Sequence, residues 1–499
     1  MTFNEVSPES VAKKAYDLVI IGSGFGSSFF LTEALKYKPG NILVLEWGKY
    51  NPWSWQIENR TNSPVSWGSS FINKTPDKPW NTTIGFGGGT NCWFGQTPRF
   101  HPNDFKLKSL YGVGKDWPIS YEDLEPYYCE AEEIMQIAGD DAMGKVLPRS
   151  KPFPMPAHKG STPDRIMMEA SPEHHFIMPT ARASRQTATR TKCCANLSCN
   201  LCPVQAKFTA INSFKKEYAD SQVDICFNSE VFSLNSDSEK VTSIMFLNGG
   251  KEYKVEADSF VLGANGIQSP AILIRSAMDY AETGKGLHEQ HSINVEAYLD
   301  GVGNFDGSTI TTGLNYSLAD GEFRRNHSSV LLVFENRWAR GFRPDAKRLT
   351  ETLPMIIVAD NIPSTDNFVG IDQYSGKAVV THLHESKYAH DGIKNALEKL
   401  PGILSPLPVE KIFIGEFRAS ESHVQGTLRM GIDGDGSVVD RNQIHHKYRN
   451  LIVVGSSVFA TCSPANPSLT VSALSIRAAR NYYRTDSEVD SLLLEGALY

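Results

Sequence analysis

The sequence predicts an α/β fold in which a discontinuous dinucleotide-type domain carries an inserted β-sheet domain. Three observations predict it. Near the N-terminus a short apolar run, Tyr16 to Ile21, leads into Gly22-Ser23-Gly24-Phe25-Gly26-Ser27 and a helical stretch. Near the C-terminus a second such run, Leu451 to Val454, ends at Gly455. Between them, residues 292–415 carry alternating β-type segments. Nucleotide-type pieces at both ends and a β-rich middle are the pattern of an insertion.

Tyr16–Ile21 is apolar without interruption, as a parallel strand buried on both faces must be. The helix after the glycines stops near Tyr37, where Lys38-Pro39-Gly40-Asn41 breaks it. Ile42 to Leu45 is a second buried strand ending at Glu46, which completes a βαβ unit. Residues 51–84 read as irregular, and Gly85 to Gly89 opens a second glycine-rich element. Residues 121–138 read as helix, with Glu122, Asp123 and Glu125 near its start. The Pro-rich stretch 148–182 reads as loop. Strands are expected at 223–232, 241–247 and 252–262, the last leading into Gly263-Ala264-Asn265-Gly266. Segments 309–316, 328–334, 354–359 and 377–382 predict an antiparallel sheet. A closing helix is expected over 469–484, and the acidic tail after Thr485 reads as loose.

Composition narrows the function classes. The 499 residues include 49 Lys+Arg and 56 Asp+Glu, a net charge of −7. A mildly acidic chain argues against a dedicated nucleic-acid binder. Apolar content of 40% and charged content of 21% are those of a globular protein with a large core. The N-terminus has no apolar signal region, and no apolar run is long enough to predict a transmembrane helix. The expectation is a soluble cytoplasmic chain, with periplasmic co-export beside a signal-bearing partner as the alternative.

The first motif is a dinucleotide fingerprint with a Rossmann-like context. Gly22 makes the tight turn after the strand. Gly24 lets the backbone approach a pyrophosphate, which the helix N-terminus then binds. Gly26 and the small Ser27 keep helix and strand close. Glu46 ends the next strand, where a carboxylate accepts from a ribose hydroxyl. A chance glycine turn would not bring strand, helix, second strand and acid together. The fingerprint does not by itself choose FAD over NAD.

The C-terminal segments HVQGTLRMG (423–431) and NLIVVGSSVFATCSPANPSLTVSALSIRAA (450–479) carry a family resemblance. With the fingerprint they resemble the glucose–methanol–choline (GMC) oxidoreductases. GGGTNCW (87–93), DWPISYEDLEPYY (116–128) and GANGIQSPAILIRSA (263–277) are similar to further family pieces, so the resemblance spans essentially the whole chain. It implies an FAD-binding domain at 1–50, 81–98, 205–291 and 416–485, and a substrate-binding domain at 51–80, 99–204 and 292–415. It implies hydride transfer from an alcohol of a sugar, glycoside or polyol to flavin N5. His423 and Asn466 are its catalytic pair. A lone His is usually a satisfied structural residue, and Asn before Pro is usually a turn, but both stand here in their motifs. The chemistry is independently sensible, since imidazole can take the hydroxyl proton and an amide can hold the alkoxide. His445 and His446 lie in a polar turn and suit the role less.

The resemblance also implies a flavin-contact set. Gly87, Gly88, Gly89, Thr90 and Asn91 belong to a loop passing the flavin. Gly455 and Ser456 make a second contact, and Pro467, Ser468, Leu469 and Thr470 lie near the ring with Asn466. Val231 and Gly266 complete the set. Cys92 occupies the position where relatives such as pyranose oxidase carry a flavin-linking His. No His stands there, so a non-covalent flavin beside an ordinary Cys is expected, with a cysteinyl link as the alternative.

Four of the eight cysteines crowd one segment: Cys193, Cys194, Cys199 and Cys202. Clustered thiols in a stretch free of Asp and Glu (176–216) point to a metal or redox centre. Zinc, disulfides and free thiols compete with iron–sulfur. The CC-x4-C spacing resembles the segment of GMC-type FAD glucose dehydrogenases that holds a 3Fe–4S cluster. That resemblance implies Cys193, Cys194 and Cys199 as ligands, with Cys202 as an extra. It also implies a small chaperone-like subunit and a cytochrome or other electron acceptor. In the rival reading oxygen reoxidises the flavin, and a remoter one makes the chain a non-catalytic electron-transfer flavoprotein. The basic stretch lacks the interleaved aromatics of a nucleic-acid platform.

Overall fold

The computed structural model describes residues 3–484 except 197, 338–340, 342, 385 and 435. The tail after Thr485 lies outside the described residues.

Two sheets organise the molecule. The first runs in the order Asn4–Glu5, Val223–Cys226, Ile42–Leu45, Tyr16–Ile21, Lys251–Leu262, Val241–Asn248 and Glu230–Ser236, with Leu451–Val453 joining the end of Lys251–Leu262. Pairing is parallel through the apolar strands; Val261, for instance, sits between Ile20 and Ile452. These strands are buried on both faces, which is why their sequences do not alternate. The last two strands pair antiparallel as a meander. Helices Phe25–Ala34 and Ser468–Tyr483 cover the sheet.

The second is a six-stranded antiparallel roof, in the order Val409–Phe417, His291–Leu299, Thr352–Ala359, Val330–Glu335, Thr311–Asn315 and His175–Ile177. Its strands alternate. Leu332, Phe334, Met355 and Ile357 face a core shared with Ala389, Ile393, Ala396 and Leu400 of the helix Lys387–Ile403. The intervening Leu331, Val333, Ile356 and Val358 face a cavity above the first sheet.

Several sequence expectations are corrected. The segment at 377–382 leaves the roof. It forms Ala378–His382 and pairs with Asn367–Ile371 and Phe71–Asn73 in a separate three-stranded sheet. The Pro-rich stretch contains the helix Thr162–Ala170, begun by a Ser161/Asp164 capping box, and the roof-edge strand His175–Ile177. Irregular 51–84 contains the short helix Trp53–Asn59. The helix expected to 138 ends at Met135, where Gln136 turns left-handed. Among the described residues no helix is long and apolar enough to cross a membrane.

Candidate active site

The glycine loops meet at the C-terminal ends of the parallel strands, where open α/β sheets bind ligands. Gly22 has a φ of +87°, and a Cβ there would stand 2.7 Å from the Gly263 carbonyl oxygen. Only glycine makes this turn. A Cβ on Gly26 would stand 2.7 Å from Gly455 N, so the first helix lies directly on the loop that follows the Leu451–Val453 strand. Gly24 has no atom within 4 Å of that point, which leaves its backbone open to a ligand. Gly24 also caps the helix Phe25–Ala34, whose unpaired N–H groups provide an anion site.

Ser23 couples the loops. Its Oγ donates to Glu46 Oε2 at 2.5 Å and accepts from Gly87 N at 3.0 Å. Glu46 also accepts from Ser23 N at 3.1 Å and Gly48 N at 2.9 Å. Burial pushes the Glu46 carboxyl up, and these donors oppose the shift. The Gly85 backbone opposes the shift as well, so Glu46 ties the two glycine loops together at the end of its strand.

A cavity of about 580 Å³ connects these loops to the roof. Gly22, Gly24, Phe25, Gly26, Glu46, Gly88, Gly89, Cys92, Val231, Gly266, Gly455, Ser456, Pro467 and Ser468 line it, together with His423 and Asn466. Six expected contacts do not. Ser27 is buried with its Oγ turned towards Ile21 O. Gly87, Thr90 and Asn91 close their own loop: Thr90 Oγ1 donates to Gly87 O at 2.7 Å, and Asn91 Nδ2 donates to Phe86 O at 2.7 Å. Leu469 and Thr470 lie on the inner face of the last helix, and Thr470 Oγ1 is 2.8 Å from the Tyr128 hydroxyl. In tight turns and helix starts neighbouring residues point different ways, so half of a motif shapes the wall from behind. The open glycine backbone, helix N-terminus and buried acceptor fit a dinucleotide, and the volume is that of a cofactor site.

His423 sits at the cavity wall with a fixed tautomer. Gln290 Nε2 donates to Ser463 O at 2.8 Å and Ala465 O at 3.0 Å. Its Oε1 is therefore the atom 2.9 Å from His423 Nδ1, and it accepts. Nδ1 carries the proton and Nε2 is left with a lone pair. The backbone N–H of His423 donates to Glu289 Oε2 at 3.0 Å. Burial, with the charges of Arg418 and Lys78, pushes the imidazole down to about 3, so it is neutral at neutral pH. The same Gln290 holds the loop that ends in Asn466. Gln290, 3% exposed, was invisible to motif reading because no pattern marks it. Ser23 was passed over as the filler between two glycines. His445 is buried and stacked on Tyr280, away from the cavity.

The cysteine segment departs from expectation. Cys199 is buried with Sγ 3.8 Å from Arg182 Nη1, Cys193 Sγ is 3.6 Å from Thr309 Oγ1, Cys202 Sγ accepts from Ala206 N at 3.3 Å, and Cys194 is exposed. Among the described residues no group of three Cys, His, Asp or Glu could hold a metal. As placed, Cys193, Cys194, Cys199 and Cys202 do not fit a 3Fe–4S ligand sphere. The segment has no regular structure to aim its thiols, and Cys193 N is tied to Ala183 O at 2.8 Å. Beside it lies Lys207, 1% exposed. Its Nζ reaches the carbonyls of Asn91 and Trp93 at 3.0 and 2.7 Å, and those of Cys199 and Asn200 at 2.6 and 3.1 Å. Burial pushes this ammonium down to about 8. Cys92 lines the cavity with Sγ 3.2 Å from Thr83 Oγ1.

Comparison with known proteins agrees with this geometry. The GMC oxidoreductase C-terminal family model matches residues 405–475. The fructose dehydrogenase large subunit of Gluconobacter japonicus is 28% identical, over 93% of this chain and 97% of its own. The 6'''-hydroxyparomomycin C oxidase of Streptomyces lividus is 26% identical, over 94% of this chain and 91% of its own. Among solved structures, Aspergillus oryzae RIB40 formate oxidase superposes with a TM-score of 0.67 at 14% identity, covering 97% of this chain and 99% of its own. That likeness is one of fold. FAD is the cofactor of this family and fold, and the homologues act on CH–OH donors. With the glycine cradle and the roofed cavity on one chain, the protein is a sugar or alcohol oxidoreductase that carries a GMC oxidoreductase C-terminal domain over residues 405–475 and is similar to such enzymes along nearly its whole length.

Proposed function

We propose that this enzyme oxidises a CH–OH group of a sugar, glycoside or polyol by removing a proton and a hydride from one carbinol. The observation that carries the reading is His423, held at the cavity wall with its Nε2 lone pair free by the Gln290 hydrogen bond. Nε2 takes the hydroxyl proton, and Gln290 Oε1 supports the imidazolium that forms. Asn466, on the loop that Gln290 braces, orients the hydroxyl oxygen. FAD, when bound, is the hydride acceptor. The glycine cradle and Glu46 hold its dinucleotide part, as a non-covalent cofactor beside Cys92.

The two electrons then pass to an external acceptor. Their path does not run through the four thiols, which do not gather into a ligand set among the described residues. The similar fructose dehydrogenase chain is a large subunit; a companion subunit is accordingly part of the proposal.

The test is anaerobic bleaching of the flavin by a sugar and polyol panel, in wild type and His423→Ala. A correctly placed base contributes typically 10²–10⁴-fold, so bleaching should slow by about that factor with flavin content retained. Unchanged bleaching would remove the assigned role.

A further inference from the structure

Two closed ion pairs stand at the roof end of the cavity, beside His423. On the strand Val330–Glu335, Val333 and then Glu335 face the cavity, and Arg337 Nη2 meets Glu335 Oε1 at 2.5 Å. Arg418 and Glu421 follow the last roof strand and also line the cavity, with Arg418 Nη1 3.0 Å from Glu421 Oε1. Ser292 Oγ donates to that same oxygen. Both acids are withdrawn from solvent, Glu335 at 1% side-chain exposure and Glu421 at 10%. Both acids line the one cavity, and burial pushes the Glu421 carboxyl up against the opposing effects of Arg418, Ser292 and Lys78. The Arg337 guanidinium also lies 5.8 Å from the ring centre of Phe94, which lines the cavity and is partly exposed.

We propose that Glu335–Arg337 and Arg418–Glu421 form a hydroxyl clamp that selects uncharged polyhydroxylated substrates, an inference that rests on the sugar or polyol reading above. Two acids and two arginines cancel. Among the described residues, where the Lys78–Glu289 pair beside His423 is balanced as well, a buried ammonium or carboxylate on the substrate finds no uncompensated partner and loses its hydration without replacement. A vicinal diol suits the clamp, because each hydroxyl donates to a carboxylate lone pair and accepts from a guanidinium N–H. The apolar face of a sugar ring meets Phe94 and the roof residues Val333 and Ile356, while the reacting carbinol lies at His423.

Flavin bleaching is followed anaerobically with D-fructose, D-glucose and D-sorbitol, and with D-glucosamine and D-gluconate as cationic and anionic counterparts. The neutral compounds should be favoured at least tenfold in kcat/KM. Glu335→Gln and Arg337→Gln unbalance the clamp while nearly keeping shape. Each should raise KM for the best neutral substrate by about 10–100-fold, the range for lost charge-assisted hydrogen bonds, and lower the saturating rate much less. Arg337→Lys, which keeps the charge without the fork, should recover part of the KM. A deoxy analogue lacking a clamped hydroxyl should lose affinity in wild type and lose little more in Arg337→Gln. Preference for a charged compound, or an unchanged KM in both Gln variants while a neutral sugar still bleaches the flavin, overturns the clamp and leaves the oxidation reading intact. If no sugar or polyol bleaches the wild-type flavin, both fall.

Discussion

Replacing Gln290 by Leu tests the geometry at His423, the proposed base. In the folded protein the Gln290 side chain makes four hydrogen bonds: it accepts from His423 Nδ1 at 2.9 Å and from Gln425 Nε2 at 3.4 Å, and it donates to Ser463 O and Ala465 O at 2.8 and 3.0 Å. Leu removes all four at nearly constant volume. The Nδ1–H then has no acceptor, and a buried orphan donor costs about 1–3 kcal/mol. Because 1.4 kcal/mol is a factor of ten, the competent tautomer should fall by roughly 5–150-fold. The Asn466 loop also loses two tethers. The saturating rate of anaerobic flavin bleaching should therefore drop by about ten- to a hundredfold, with KM changed far less and the flavin absorbance at wild-type level. Stopped-flow measurement across pH 6–9 separates this from a titration effect: His423 is already held low, at about 3, so the wild-type rate should show no acid limb from it in that range. A Gln290→Leu rate within twofold of wild type would refute the tautomer argument.

Other expectations follow from the same contacts. Arg418→Gln removes a cation that holds the His423 imidazole down. Its pKa should rise, so the acid limb of the bleaching rate should move to higher pH; a limb that stays put contradicts the assignment. Gly24→Ala should fold normally, since nothing stands within 4 Å, but should retain less FAD, as read by the ratio of flavin to protein absorbance. Gly26→Ala forces a Cβ to 2.7 Å from Gly455 N and should lower stability by about 1–3 kcal/mol in thermal melts, with Gly24→Ala as the control. Maleimide should label exposed Cys194 first and buried Cys129, Cys226 and Cys462 last. Joint protection of Cys193, Cys194 and Cys199, released by an iron chelator, would show a gathered ligand set and overturn the arrangement described.

What the sequence reveals here follows the range of the physics. The first glycine loop is legible because its main demand is local: Gly22 needs a positive φ to turn from strand into helix. Buried parallel strands such as Ile42–Leu45 are legible because both faces are covered. The helix Lys387–Ile403 was missed: its apolar positions become informative only once the roof offers a face to cover. Ala378–His382 looks like its roof neighbours in sequence, and only pairing with distant Phe71–Asn73 removes it from that sheet. Gln290 acts through His423, Ser463 and Ala465, all far along the chain, so spacing alone carries no trace of it. The cysteines show the opposite error, because closeness in sequence is no guarantee that side chains converge.

Lys207 binds the backbone on either side of Cys92 and, with the same ammonium, the backbone at Cys199 and Asn200. A group with three protons spread over four carbonyls makes the wall beside the flavin and the cysteine segment one mechanical body. Neither loop can shift alone without stranding a buried charge. Oxidation, modification or partner binding at the cysteines is thereby felt at the cofactor wall, although the residues concerned lie more than a hundred positions apart in the chain.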